Sequence, residues 1–206
     1  METKEKIKKI LFEWKESDLP IIYERDFDLS LLETSEIITL MGPRRAGKTY
    51  LCYQMIKKLR IKVPHDNILY INFEDERLYP LNGDELTLLL DVCFEVFSVN
   101  TKHKIYIFLD EIQNIPNWAK WTRRVSDQNK NIKLVLTGSS SKLLSKEIAT
   151  ELRGRTLSFS VYPLSFSEYL RAKKIKVQKK DILYSKERIL VKKEFNKFFK
   201  MGGFPA

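Results

Sequence analysis

The sequence predicts an α/β fold of three layers, with a five-stranded parallel sheet between helices. Two observations carry this expectation. Five short, continuous apolar runs, Ile37 to Met41, Ile68 to Phe73, Ile105 to Leu109, Ile132 to Leu136 and Leu157 to Val161, alternate with segments of helical periodicity. Strands covered on both faces by crossover helices read this way. The second observation is a change of character after Pro163, beyond which two helical segments follow and no strand-like run does. The expected division is therefore a sheet domain over 1–164, with a helix in 1–20, and a helical appendage over 165–206.

Taken in order, Ile7, Ile10, Leu11 and Trp14 recur at the spacing of an amphipathic helix. The Ile37 to Met41 run ends in a glycine loop, after which Lys48 to Leu59 has helical spacing. Ile68 to Phe73 is followed by acidic and turn residues, and Asn82-Gly83-Asp84 offers a cap for a helix from Glu85 to about Val99. A helix carrying Trp118 and Trp121 separates the third and fourth runs. Past Pro163, the helical segments span about Ser165 to Lys173 and Ser185 to Lys200. In the second of these, Ile189, Leu190, Phe195, Phe198 and Phe199 can form an apolar stripe, with Lys192, Lys193 and Lys197 off it.

Composition removes several function classes. The chain has 206 residues, 43% hydrophobic, enough for a core and unlike a disordered or fibrous sequence. The net charge of +10 is local: Arg171 to Lys200 holds 12 Lys and Arg against 3 Asp and Glu, leaving 25 against 24 elsewhere. Nucleic-acid binding is thus a question about one segment, and its lysines read more readily as a solvated helix face. Cys52 and Cys93 lie in apolar surroundings without metal-ligand spacing, as small buried hydrophobes. The N-terminus has no apolar signal region, and the longest greasy stretch, Leu86 to Val99, is interrupted by Asp91 and Glu95, so a cytoplasmic protein without a membrane span is expected.

Gly42-Pro43-Arg44-Arg45-Ala46-Gly47-Lys48-Thr49 fits the phosphate-loop pattern G-x-x-x-x-G-K-[ST] between a predicted strand and a predicted helix. Its backbone N–H groups can turn inward around phosphate oxygens, and the following helix adds its N-terminal dipole. Lys48 supplies charge at the β and γ phosphates, and the Thr49 hydroxyl is a hard oxygen ligand for Mg²⁺. Tyr50 is grouped with the loop as a nucleotide contact. Arg44 and Arg45 are candidates for phosphate or a neighbouring subunit, solvent being the plain alternative.

The third run leads straight into Asp110-Glu111. A buried strand rarely ends in two carboxylates unless they have partners. With a phosphate loop, Asp110 holds Mg²⁺ and Glu111 orients and deprotonates the attacking water. The second acid favours ATP hydrolysis over a nucleotide kinase.

Together GPRRAGKT, LDEIQ, LTGSSSKLL, LRGR, PLSFSEYL and GGFP, in this order, resemble the AAA-type P-loop ATPases of archaea and bacteria, related to the signal-transducing STAND NTPases. The resemblance runs from about Ile21 to the end of the sequence. It implies a P-loop NTPase sheet of order 5-1-4-3-2, ATP, ADP and Mg²⁺ as ligands, and hydrolysis coupled to conformational change. It matches Thr137 or Ser139 to a sensor of the γ-phosphate, without choosing between them, and a helix cap ahead of Lys142 explains the serine run equally well. It sets Arg153 and Arg155 in the region of an arginine finger acting across self-association, with exposed turn arginines as the alternative. Asn72 matches a polar position that restrains the catalytic glutamate, and Gly203 and Pro205 look like the Gly-x-Pro element that touches the nucleotide base. Family members continue past GGFP, so an incomplete helical lid is expected. Beside a switch or motor ATPase stand two alternatives: a nucleotide-binding regulator that does not hydrolyse, and a DNA-associated ATPase using the 171–200 segment.

Overall fold

A computed structural model describes residues 2–83, 85–139, 148–176 and 187–204. Its elements are α1 (Glu2–Glu16), β1 (Ile37–Met41), α2 (Lys48–Leu59), β2 (Ile68–Asn72), α3 (Leu86–Val96), β3 (Ile105–Asp110), α4 (Trp118–Gln128), β4 (Ile132–Gly138), β5 (Thr156–Ser160), α5 (Phe166–Ala172) and α6 (Glu187–Met201). The strands form one parallel sheet of order β2-β3-β4-β1-β5, the expected order read from its other edge.

Alternation along the strands builds two cores. Ile37, Leu69, Ile107, Leu109, Leu134 and Leu136 face α1, α3 and α4, where Ile7, Leu11, Leu89, Val92, Trp118 and Trp121 close one layer. Ile38, Leu40, Tyr70, Phe108 and Val135 face Leu51, Cys52, Met55 and Ile56 of α2 on the other side. Both cysteines are buried and free. Asn82 helps to start α3: its Oδ1 accepts from Glu85 N–H, and Glu85 Oε2 accepts from Asn82 N–H, each at 3.1 Å.

Register positions the site. Asn72 pairs with Asp110, Met41 with Gly138 and with Ser160, so β1 to β5 end along one edge of the sheet. Ligands of open α/β sheets bind beyond that carboxyl edge. At the opposite edge, β4 buries Lys133, which donates to Thr34 O (3.1 Å), Thr34 Oγ1 (2.9 Å) and Glu36 O. Burial lowers this ammonium to about 8.

The structure departs from expectation at both ends. The first helix stops at Glu16, and residues 17–28 carry no helix or strand; Leu19 and Phe27 pack on the α2-side core. In α6, Phe195 and Phe198 meet Phe166 of α5, with centroids 5.2 and 5.4 Å apart, but Ile189 and Phe199 are exposed. The two turns of α5 cover only part of the stripe. Among the described residues, no helix is long and apolar enough to cross a membrane.

Candidate functional site

The loop after β1 has the conformation that phosphate binding needs. Arg45 and Gly47 both have positive φ (64° and 94°), and Gly47 caps α2. Such alternation turns backbone N–H groups toward one concavity. Lys48, the first residue of α2, folds back so that Nζ donates to Gly42 O and Pro43 O, each at 3.2 Å, and lies 3.3 Å from Glu111 Oε1. Both partners of this ion pair are buried.

Beside it, Asp110 collects hydroxyls. Thr49 Oγ1 and Tyr70 OH each donate to Oδ2 at 2.7 Å, and Thr137 Oγ1 donates to Oδ1. The Thr137 oxygen also accepts from Glu111 N–H at 3.0 Å. Glu111 has φ 53°, a left-handed conformation costly for a residue with a side chain. Its Oε2 accepts from Gln113 Nε2 (2.6 Å) and Ser139 N–H (3.0 Å). Burial alone would raise this carboxyl, but the Gln113 bond, the Lys48 charge and the Ser139 bond together hold it below the usual carboxylate range.

Of these groups Lys48, Thr49 and Glu111 border a cavity of about 810 Å³ lined also by Arg44, Arg45, Gly47 and Tyr50, with Ile21, Tyr23, Arg25 and Leu164 among its other walls. Its size suits a nucleotide-scale ligand. Arg44 is mostly exposed and 3.5 Å from Glu74. Gly42 lies behind the cavity, so close to the chain after β5 that a Cβ there would stand 2.1 Å from Val161 O.

Other expected residues fall elsewhere. Asn72 Oδ1 accepts from Glu74 N–H at 2.9 Å, a local turn, and the side chains bonded to Glu111 are those of Gln113 and Lys48. Ser139 and Thr137 both reach the acid pair, but neither lines the cavity. Arg153 and Arg155 precede β5, at the opposite edge of the sheet; Arg155 Nε bonds Asp127 Oδ1 of α4 at 2.8 Å, and Arg153 is exposed. Gly203 is not a wall of the cavity but stands behind one: Leu164 N–H donates to Gly203 O at 2.6 Å, and a Cβ on Gly203 would lie 2.1 Å from Leu164 O. Pro205, residues 140–147, which hold the lysine-leucine stretch after the serines, and 177–186 of the basic segment lie outside the described residues.

Three contributors escape motif reasoning. Tyr70 looks like one more apolar strand residue, and Gln113 like the end of a motif. Arg25, from the segment without helix or strand that follows α1, donates to Ala46 O (3.0 Å), Tyr162 O (2.7 Å) and Glu168 Oε1 (2.9 Å), while its backbone exchanges two bonds with the Gln54 amide. It ties the phosphate loop to α2, to the chain after β5 and to α5. An arginine flanked by acids, as in Glu24-Arg25-Asp26, gives no sign of this in sequence.

The donor set also bears on a metal. No three His, Cys, Asp or Glu side chains converge among the described residues, so a cage built from them alone is not what they offer. One carboxylate and one hydroxyl 2.7 Å apart beside a phosphate loop fit a small hard cation that keeps phosphate and water ligands, as Mg²⁺ does.

Comparison with known proteins bears on family and fold. A family model described as an AAA domain matches residues 34–170. An uncharacterized protein of Methanocaldococcus jannaschii is 45% identical over 184 residues, which is 89% of this chain and 38% of that protein. An uncharacterized protein of Haemophilus influenzae is 35% identical over 178 residues, 84% of this chain and 40% of that one. The chain thus spans about two fifths of the length of these relatives. Among solved structures, a Walker-type ATPase of Pyrococcus abyssi superposes with a TM-score of 0.54 at 16% identity, covering 91% of this chain and 67% of that one, a likeness of fold.

Proposed function

The chain belongs to the AAA domain family, and on that premise we propose that it binds ATP with Mg²⁺ at the carboxyl edge of the sheet and hydrolyses it. The observation that carries this reading is the pairing of Lys48 with Glu111 (3.3 Å) beside that of Thr49 with Asp110 (2.7 Å) at one cavity.

Thr49 and Asp110 would hold the metal, whose chemistry is to neutralise charge developing on the transferred phosphoryl group. The loop amides and Lys48 bind phosphate. Phosphate oxygens compete with Glu111 for the Lys48 ammonium, and its transfer to them frees Oε1, while Gln113 and the Ser139 amide retain Oε2. The carboxylate is then fixed in plane with one oxygen available to take a proton from water attacking the γ-phosphorus. Thr137, bonded to both acids, keeps the pair in register. Arg153 is the more available of the two finger candidates, since Arg155 is paired with Asp127. Residues 165–206 are read as the start of a helical lid joined to the phosphate loop through Arg25 and Glu168, in keeping with a STAND-like switch.

Nucleotide binding and phosphate release by the parent and two variants test the reading. Lys48→Ala should abolish binding. Glu111→Gln should retain binding and lose turnover by about 10²- to 10⁴-fold. Parental turnover in Glu111→Gln would overturn the assignment of the base. The ion pair that engages Glu111 in this structure favours one alternative, a regulator that binds without hydrolysing. Tight binding with no phosphate release at any protein concentration would establish that instead.

A further inference from the structure

Asp110 is bonded by three hydroxyls, of which Thr49 lines the cavity and Thr137 lies at the end of β4. The third belongs to Tyr70 of β2. Its backbone pairs with Phe108, two residues short of Asp110, and both side chains lie on the α2 side of the sheet. The length of a tyrosine ring spans that offset and sets its hydroxyl 2.7 Å from Oδ2. Phenylalanine would fill the same space and make no such bond.

The ring is itself held. Trp14 of α1 lies 4.9 Å from it and Tyr53 of α2 5.2 Å, centroid to centroid, and Tyr53 OH is 3.4 Å from Tyr70 OH. Tyr70 is buried and does not line the cavity. A carboxylate plane turns about a soft sp³–sp² torsion, so its donors decide where each oxygen points. Thr49 would exchange part of its bonding when a ligand arrives. Tyr70 lies behind the site, and its bond persists.

We infer that Tyr70 is a positioning residue for the cation side of this site, holding Asp110 so that Oδ2 faces Thr49. The inference rests on the proposed Mg²⁺–ATP reading of the site. Groups that orient a metal-site carboxylate from outside the coordination sphere typically change metal affinity by about 10- to 100-fold when removed.

The test is Tyr70→Phe, which deletes one oxygen and leaves the ring between Trp14 and Tyr53. Binding of a fluorescent non-hydrolysable ATP analogue is measured without metal and then titrated with Mg²⁺. Metal-free affinity should stay at the parental value, while the Mg²⁺ midpoint rises about 10- to 100-fold. Tyr53→Phe, which removes a hydroxyl that touches Tyr70 but not Asp110, should leave the midpoint unchanged. Tyr70→Phe added to Asp110→Asn should weaken Mg²⁺ dependence no further than Asp110→Asn alone, because Tyr70 acts through that carboxylate. A parental midpoint in Tyr70→Phe, an equal rise in Tyr53→Phe, or additivity with Asp110→Asn overturns the inference alone. A parent whose nucleotide binding ignores Mg²⁺ overturns the metal reading, and this inference with it.

Discussion

The two edges of the sheet bury opposite charges in opposite ways. At the carboxyl edge, Asp110 and Glu111 are held by hydroxyls, an amide, Gln113 and one lysine, beside a cavity. At the amino edge, Lys133 is held by two carbonyls and a hydroxyl from the turn before β1, and neither it nor that turn lines the cavity at the other edge. Lys133 and Thr137 belong to one strand, four residues apart, and point to the same side. Burial of an ionisable group therefore does not mark a functional site by itself, because a closed set of partners can satisfy it. Convergence of such groups on an open cavity is the better mark.

The largest test of this contrast exchanges the readouts. Glu111→Gln should lower turnover by about 10²- to 10⁴-fold with little change in melting temperature, whereas Lys133→Met should leave nucleotide affinity intact. A Lys133→Met protein that folds like the parent but no longer binds nucleotide would break the comparison.

A smaller effect concerns stability. Lys133→Met takes the buried donor from two carbonyls of a half-buried turn and should cost about 1–3 kcal/mol in denaturant unfolding. The parent also carries a pH signature. The Lys133 ammonium falls from 10.5 in the unfolded chain to about 8 when folded, so the unfolded state binds more protons between these values. Parental stability should accordingly rise with pH across that window relative to Lys133→Met, by at most about 3 kcal/mol. A pH-independent difference between the two proteins would show that the lysine is not desolvated.

Thr137→Val sharpens the other edge. It removes the donor to Asp110 Oδ1 and the acceptor of Glu111 N–H, and should cost about 1–3 kcal/mol while also depressing turnover. Loss of stability with unchanged turnover would make Thr137 a strand-packing residue only. The smallest effect is expected for Arg155→Ala, because its pair with Asp127 is exposed. Its melting temperature should match the parent's, and a fall in phosphate release that grows with protein concentration would assign it a role at a neighbouring copy.

What was legible in the sequence was local. Residues 42–49 and the acid pair announce themselves because their chemistry lies in contiguous residues with a strand on one side, and the apolar runs fix five strands for the same reason. Tyr70, Gln113 and Arg25 act on residues 40, 2 and 21 positions away, and neither Tyr70 nor Arg25 differs in type from residues that merely fill a core or a surface. Lys133 is hidden in a strand between apolar Ile132 and Leu134. Asn72 sits at the expected strand end, and its side chain there closes its own turn through Glu74 N–H.

Main chain alone joins two distant parts of the fold. The stretch from Val161 to Leu164 is pressed at one end by Gly42 and at the other by Gly203, each through backbone, with no room for a methyl group at either. Its first amide bonds Met41 O and its last bonds Gly203 O, both at 2.6 Å, and Arg25 grips Tyr162 between them. Four residues of main chain thus bridge the phosphate loop and the segment after α6. The contacts at both ends are made by main chain, so they do not depend on which side chains the stretch carries there.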